Sequence, residues 1–399
     1  MTTETPPTTA GQGSPHEPVP MYGTDFAADP RQVYDENRPR GTAVPVELAP
    51  GVEATLILGY DAALEVLRDP GSFPKDGRAW EKTVADDCPV KPVMAYRPSC
   101  LYADGERHAR LRSALQDPLG RIDVIDLRRH VEETADSLIE SLAVRGEADL
   151  VGEYARVLVA SVFTRLFGCP PELAERVILA LSRIIDVEQA AEANMMLTEA
   201  LADLVLLKRR EPGPDVASWM MAHPARLTDQ EMMDSIALFF GFGTEPQHSL
   251  IANGLRLLLT DDRFAGDLSG GNLAIEDALD EILWTDPPLA NLGFSFPVRD
   301  TDFAGTRLPA DRPVLVSFAA ANTDPSRAAG SRVGNRAHLA WGAGPHTCPA
   351  KRPARLIATV AIERLLDRFP DMEVAIDPAE LRWRPGPFHR SLTALPVRF

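Results

Sequence analysis

The 399-residue sequence predicts a mainly α-helical molecule with a minor β-sheet, an α+β fold. Three observations carry that expectation. Apolar residues recur at three- and four-residue spacing in DAALEVLRDP, HARLRSALQDPL, LRRHVEETADSLIESLAV and IATVAIERLLDRF, the period of one buried helical face. Strand-like runs are few and short. No repeat and no second low-complexity linker follows residue 20, so residues 21–399 read as a single domain after a tail.

The elements follow in chain order. Residues 1–20, MTTETPPTTAGQGSPHEPVP, are rich in Thr, Pro and Gly and lack a basic start followed by an apolar run. They read as a disordered tail and not as a signal peptide. TAVPVEL (42–48) and EATLIL (53–58) flank an Ala-Pro-Gly turn and predict a hairpin. Helices then dominate. Thr228-Asp-Gln-Glu231 fits a capping box, and apolar periodicity continues to about Leu259, a rod of roughly 45 Å at about 1.5 Å per residue. GFGTEPQ (241–247) lies in its middle. Glycine and proline are poor interior helix residues, so a distortion is expected there, with the Phe242 carbonyl left without the N–H that Pro246 cannot donate. PVLVSFAA (313–320) and LTALPVRF (392–399) are the late strand candidates.

Composition narrows the partners. A formal net charge of −17 disfavours nucleic acid and anionic membranes. No apolar run is long enough to span a bilayer, and a cytoplasmic protein is expected. Cys88, Cys100, Cys169 and Cys348 show no CxxC spacing, which argues against a disulfide framework or a structural zinc site.

Cys348 stands apart, in WGAGPHTCPA (341–350). Gly342 and Gly344 allow positive φ and close backbone approach, Pro345 and Pro349 stiffen the loop, and a helix follows from Ala350. A cysteine at a helix N-terminus is favoured as thiolate, hence a metal ligand or a nucleophile. His346 is not an obvious base for a nucleophile, and no companion ligands for zinc are in view.

The loop resembles the haem-binding loop of the cytochromes P450, FGxGxHxCxG, with Trp341 for Phe and Ala350 for the last Gly. His108-Ala-Arg-Leu-Arg112 is similar to the family's propionate-binding HxxxR. AspProPro (286–288), AlaAlaAlaAsnThrAspPro (319–325), and Trp383-Arg through Arg390-Ser-Leu to Phe399 resemble further signatures in family order. The resemblance covers nearly the whole chain after the tail. It implies the cytochrome P450 fold with the 229–259 rod as the I-helix over haem b (iron protoporphyrin IX). Cys348 would be the axial iron ligand, with His108, Arg112 and His346 on the propionates, and Trp341 and Gly243 beside the macrocycle. The thiolate would push electron density toward O–O cleavage.

Three departures matter. In the segment matching ExxR, Glu281 is present but Trp284 replaces the arginine, as in an actinobacterial subgroup that this chain resembles. The indole N–H could reach Glu281, and Arg327, Arg332 or Arg336 is expected to supply the missing charge. Ser295 falls where relatives often carry a propionate-binding arginine, with Arg299 four residues later. On the I-helix the glycine and acid match as Gly243 and Glu245, but Pro246 replaces the threonine and Gln247 follows. Glu245 would relay protons and Gln247 or Thr244 would order water. Productive oxygen activation then favours a substrate that brings its own hydroxyl.

The resemblance implies a monooxygenase that oxidises, most simply hydroxylates, an apolar small molecule with O2 and electrons from a ferredoxin and its reductase. A basic patch of Arg107, Arg110, Arg112, Lys351, Arg352 and Arg355 would dock the acidic ferredoxin. The competing reading is a haem-binding protein with little monooxygenase activity, a sensor, regulator or signalling-complex component. Pocket contacts are expected from Trp80, Met94, Tyr96, Met195, Met196, Phe239, Phe240 and Phe242, although each type is more often core.

Overall fold

The expected hairpin forms. Ala43–Ala49 and Val52–Ile57 pair antiparallel, with Ala43 opposite Ile57 and a bulge between Glu47 and Ala49. The structure is a computed structural model and describes residues 17–186, 188–261, 264, 275–310, 312–327, 332 and 334–399. The hairpin sits inside a five-stranded sheet ordered Val19–Pro20, Ala43–Ala49, Val52–Ile57, Val314–Ser317, Asn291–Ser295. The tail expected through residue 20 is therefore shorter. Val19 and Pro20 pair in parallel with Val46 and Glu47, and the Met21 N–H donates to the Glu47 carbonyl at 2.8 Å. Residues 1–16 of that tail lie outside the described residues.

Everything else of size is helical. The four periodic stretches become Tyr60–Arg68, Gly105–Leu119, Val124–Ala143 and Lys351–Arg368. The Val124–Ala143 helix packs on Lys351–Arg368, and Tyr154 ties the latter to the next segment through a 2.6 Å bond to the Ala361 carbonyl. The expected strand at 313–320 is only half right. Val314–Ser317 is a strand, but Phe318–Asn322 is a short helix, because the Ser317 hydroxyl caps it by accepting from the Ala320 N–H at 3.0 Å. Of 392–399 only Pro396–Arg398 is a strand, between Glu147–Asp149 and Glu373–Val374.

The long helix spans Asp229–Thr260. Both halves of its capping box are made: Thr228 Oγ1 accepts from the Glu231 N–H at 3.2 Å, and Glu231 accepts from the Thr228 N–H at 3.0 Å. It runs unbroken through residues 241–247, so the distortion expected at Pro246 is not an interruption. From Gln247 to Leu255 every residue is buried. Such a helix crosses the interior and must satisfy its polar side chains there. Ser249 donates to the Glu245 carbonyl, and Asn253 donates to the Arg390 carbonyl at 2.9 Å. Buried apolar residues from Met21 to Val397 join in one cluster. No single described helix is long and apolar enough to cross a membrane.

Candidate functional site

The cysteine loop is shaped by its glycines. Gly342 and Gly344 have φ of 68° and 66°. A Cβ on Gly344 would lie 2.3 Å from the Leu67 carbonyl oxygen, so the loop is pressed onto the end of the Tyr60–Arg68 helix. The Cys348 N–H donates to the Trp341 carbonyl at 2.8 Å, closing the loop. Cys348 lies two residues before the N-cap, Ala350, of the Lys351–Arg368 helix. The Cys348 side chain is half-buried, and burial pushes the thiol pKa up from its usual range. The Ala350 N–H and the charges of Arg112 and Lys351 pull the other way without prevailing. A bound metal cation is what would hold this sulfur as an anion. Among the described residues no three His, Cys, Asp or Glu side chains gather to hold a metal by themselves.

A polar corner adjoins the sulfur. The His108 and His346 rings lie 4.4 Å apart, and His346 Nε2 is 3.2 Å from an Asp104 oxygen. Arg112 donates to the Thr347 carbonyl in the cysteine loop. His108 Nε2 is buried with no protein partner. Burial, then His346, then Arg112 press its pKa down to about 4. Two imidazoles and a guanidinium crowded together, with one buried ring nitrogen left without a protein partner, form a place for an anion.

The facing wall is the long helix. Gly243, Pro246 and Gln247 line a cavity of about 260 Å³ that Trp341, His346, Cys348 and Arg112 line as well. Successive helical residues point about 100° apart, so Thr244 and Glu245 turn away from this cavity. The Thr244 hydroxyl donates to the Phe240 carbonyl at 2.7 Å. Gln247 faces the cavity, but its amide donates to the Ala354 carbonyl at 3.0 Å. Gly243 is glycine for a packing reason too: a Cβ would meet Phe163 at 2.5 Å.

Glu245 belongs to a buried charge network. It accepts from Arg384 at 2.8 Å and lies 3.8 Å from His248 Nε2, while Arg384 also pairs with Asp186, which is 3.5 Å from His389. Burial alone would raise the Glu245 carboxyl, but His248 and Arg384 outweigh it and hold the pKa down at about 2. His248 is itself pressed to about 4, chiefly by burial, and is neutral near pH 7. The guanidinium of Arg384 is therefore the charge that keeps Glu245 anionic. Residue types alone could not reveal Arg384 as its partner, 139 positions away.

Of the expected pocket contacts, Phe239 and Phe242 line the cavity. Trp80, Met94 and Phe240 are core, Met196 packs against the core edge and Met195 is 62% exposed. Tyr96 is flanked by the guanidinium groups of Arg78 and Arg107 at 4.8 and 5.4 Å from its ring centre. Leu101, Leu119, Ile122, Phe163 and Leu166, which the sequence did not single out, are among the other apolar residues of the wall.

The replacement of ExxR is resolved by distance. Arg332 lies 3.7 Å from a Glu281 oxygen and 5.7 Å from the centre of the Trp284 ring. Arg327 pairs with Asp61, and Arg336 pairs with Asp280 and Glu276. The Trp284 indole N–H does not serve Glu281; it donates to the Asn335 carbonyl at 2.7 Å. The expected basic patch is also smaller. Arg355 is paired with Glu276 and Asp280, Arg110 with Glu231, and Arg112 faces the loop, which leaves the exposed Arg107, set over the Tyr96 ring, and Arg352 with the partly exposed Lys351 after the cysteine. Arg299 is exposed, and Ser295 is buried against Lys75.

These features fit an iron porphyrin: one soft sulfur on one wall, an unpartnered imidazole nitrogen beside an arginine at the rim, and apolar side chains around the remainder. No family model matches the chain. Among curated proteins it is 33% identical to the cytochrome P450 monooxygenase PikC of Streptomyces venezuelae, over 94% of this chain and 92% of that protein. It is 30% identical to the mycinamicin IV hydroxylase/epoxidase of Micromonospora griseorubida, over 87% of this chain and 90% of that protein. The solved structure of CYP154C4 from Streptomyces sp. ATCC 11861 superposes with a TM-score of 0.88 at 26% identity, covering 96% of this chain and 98% of that one. With a shared fold, near full-length coverage and a cysteine loop facing a long helix, the chain belongs to the cytochrome P450 family of haem-thiolate monooxygenases.

Proposed function

We propose that this chain hydroxylates an apolar small molecule that carries its own hydroxyl group, using O2 and electrons delivered by a ferredoxin and its reductase. The observation that carries the reading is the cavity itself: Cys348 lines it beside Trp341, and Phe239, Phe242, Gly243 and Pro246 line it from the long helix. When bound, haem b supplies the iron at which dioxygen is activated. Cys348 Sγ would hold that iron, and His108 Nε2, Arg112 and His346 would hold the propionates. Trp341 and Gly243 would pack against the macrocycle.

The apolar wall would bind and orient the substrate and exclude water. Proton delivery is the chain's own peculiarity. Glu245 is bound to Arg384, the Thr244 hydroxyl to the Phe240 carbonyl, and the Gln247 amide to the Ala354 carbonyl. Thr244 and Glu245 do not face the cavity, Pro246 has no hydroxyl, and the second amide N–H that Gln247 keeps is too weak an acid to deliver a proton. A hydroxyl on the substrate supplies what the helix lacks. The relative named mycinamicin IV hydroxylase/epoxidase carries hydroxylation in its name, which supports that reaction type here. Lys351 and Arg352, on the side of the cysteine loop, are the charges a ferredoxin would meet.

The test is turnover of matched apolar substrates with and without a hydroxyl, with a ferredoxin and its reductase as electron source. Product is expected from the hydroxyl-bearing member and mostly peroxide from the other. Peroxide without product from both would favour the alternative, a haem-binding P450 relative with a sensing or regulatory role.

A further inference from the structure

Lys75 is 4% exposed and lines the same cavity as Arg112 and His346. Its ammonium donates to the Phe294 carbonyl at 2.8 Å, to Ser295 Oγ at 2.9 Å and, more weakly, to the Gly293 carbonyl at 3.3 Å. All three acceptors are neutral. The nearby acid, Asp104, spends one oxygen on the Lys75 backbone N–H at 2.7 Å and the other on His346. A buried ammonium facing only neutral oxygens is unfavourable unless an anion completes its site. Lys75 and Arg112 bring two positive charges to the corner that the His108 and His346 rings share, against the carboxylate of Asp104. The corner is short of negative charge.

Position 295 sharpens the reading. The family resemblance places a propionate-binding arginine there, and this chain has Ser295, whose hydroxyl is the group Lys75 holds. The amino group thus comes from a distant segment to the strand position that lacks the arginine. The weak bond to Gly293 is the one an incoming carboxylate would replace.

Resting on the haem reading above, we infer that Lys75 is a haem-propionate ligand that takes over, from another part of the chain, the role of the missing arginine at position 295. The Ser295 hydroxyl, while accepting from Lys75, keeps its own proton to donate.

The experiment measures the rate at which the holoprotein loses haem to excess apomyoglobin, for wild type, Lys75→Met and Lys75→Arg. Each is loaded either with haem or with haem whose two propionates are methyl esters. With haem, Lys75→Met is expected to speed loss by about tenfold or more, the loss of one charge-assisted hydrogen bond, and Lys75→Arg by much less. With the diester, wild type and Lys75→Met should release the macrocycle at the same rate. Equal acceleration with both macrocycles would make Lys75 a strap for the 293–295 strand and overturn the inference, as would no acceleration with haem. Wild type that takes up neither macrocycle would instead bring down the haem reading itself, and this assignment with it.

Discussion

Arg384 is the centre of a buried charge network. Its guanidinium faces Glu245 and Asp186, and its side chain is 9% exposed. Removing one partner of a buried pair leaves the other desolvated and uncompensated, which costs about 3–5 kcal/mol. Arg384→Met is therefore expected to lower unfolding stability by about that amount, and adding Glu245→Gln should recover a good part of it, as read by denaturant titration. A loss below about 1 kcal/mol in the single variant would show that the network carries little. At this scale the sequence was legible where chemistry is local. Cys348, His346 and the two glycines sit in one ten-residue loop whose spacing is itself the signal. The partners of Lys75 and Arg384 were not legible, because each reaches across the fold: Lys75 meets Ser295, and Arg384 meets Glu245. Glu245 shows the same limit in reverse, since the right residue type in the right motif points at a guanidinium and away from the cavity.

Two helices carry the departures from the family pattern. The Asp229–Thr260 helix was readable from end to end, because a capping box and a steady apolar period are local signals. What faces the cavity was less so, since the 100° step per residue decides it and proline occupies the place of an alcohol. On the Ile275–Thr285 helix, Trp284 keeps a structural part by another route. Its N–H holds the Asn335 carbonyl while its ring stacks with Arg332, which also lies near Glu281. Trp284→Phe keeps a ring and removes the donor. The expected cost is about 0.5–1.5 kcal/mol, the net worth of one hydrogen bond, measured by thermal or denaturant unfolding, with the haem spectrum unchanged. A spectral change with no loss of stability would place Trp284 in the cofactor site instead. Residues 318–320, the start of the short helix Phe318–Asn322, were read as strand because an apolar run looks alike in both; the Ser317 cap distinguishes them.

Across the whole molecule the buried histidines set the acid response. Burial presses both His248 and His338 down to about 4, against about 6.5 in an unfolded chain. The unfolded state takes up these protons first as pH falls, so stability is full above about pH 6.5 and declines toward pH 4. Each histidine contributes a slope of up to about 1.4 kcal/mol per pH unit in that window. Glu245, held low, adds a further loss only below its unfolded value of about 4.3. Unfolding midpoints at pH 7 and pH 5 should therefore differ clearly in wild type and less in the His248→Gln, His338→Gln double variant. An equal drop in both would assign the acid response to other groups. The class of fold was legible from periodicity, and the sheet came out larger than its sequence signal because Val19–Pro20 and Asn291–Ser295 are recruited by pairing, not by pattern.

The account rests on the sulfur of residue 348 holding a porphyrin iron, and the ferrous carbon monoxide spectrum reads that bond directly. Wild type is expected to show the red-shifted Soret band of a thiolate-ligated haem, and Cys348→Ala to lose that band whether or not it retains haem. The same spectrum from both proteins, or wild type that stays colourless with porphyrin and iron in ample supply, would contradict it.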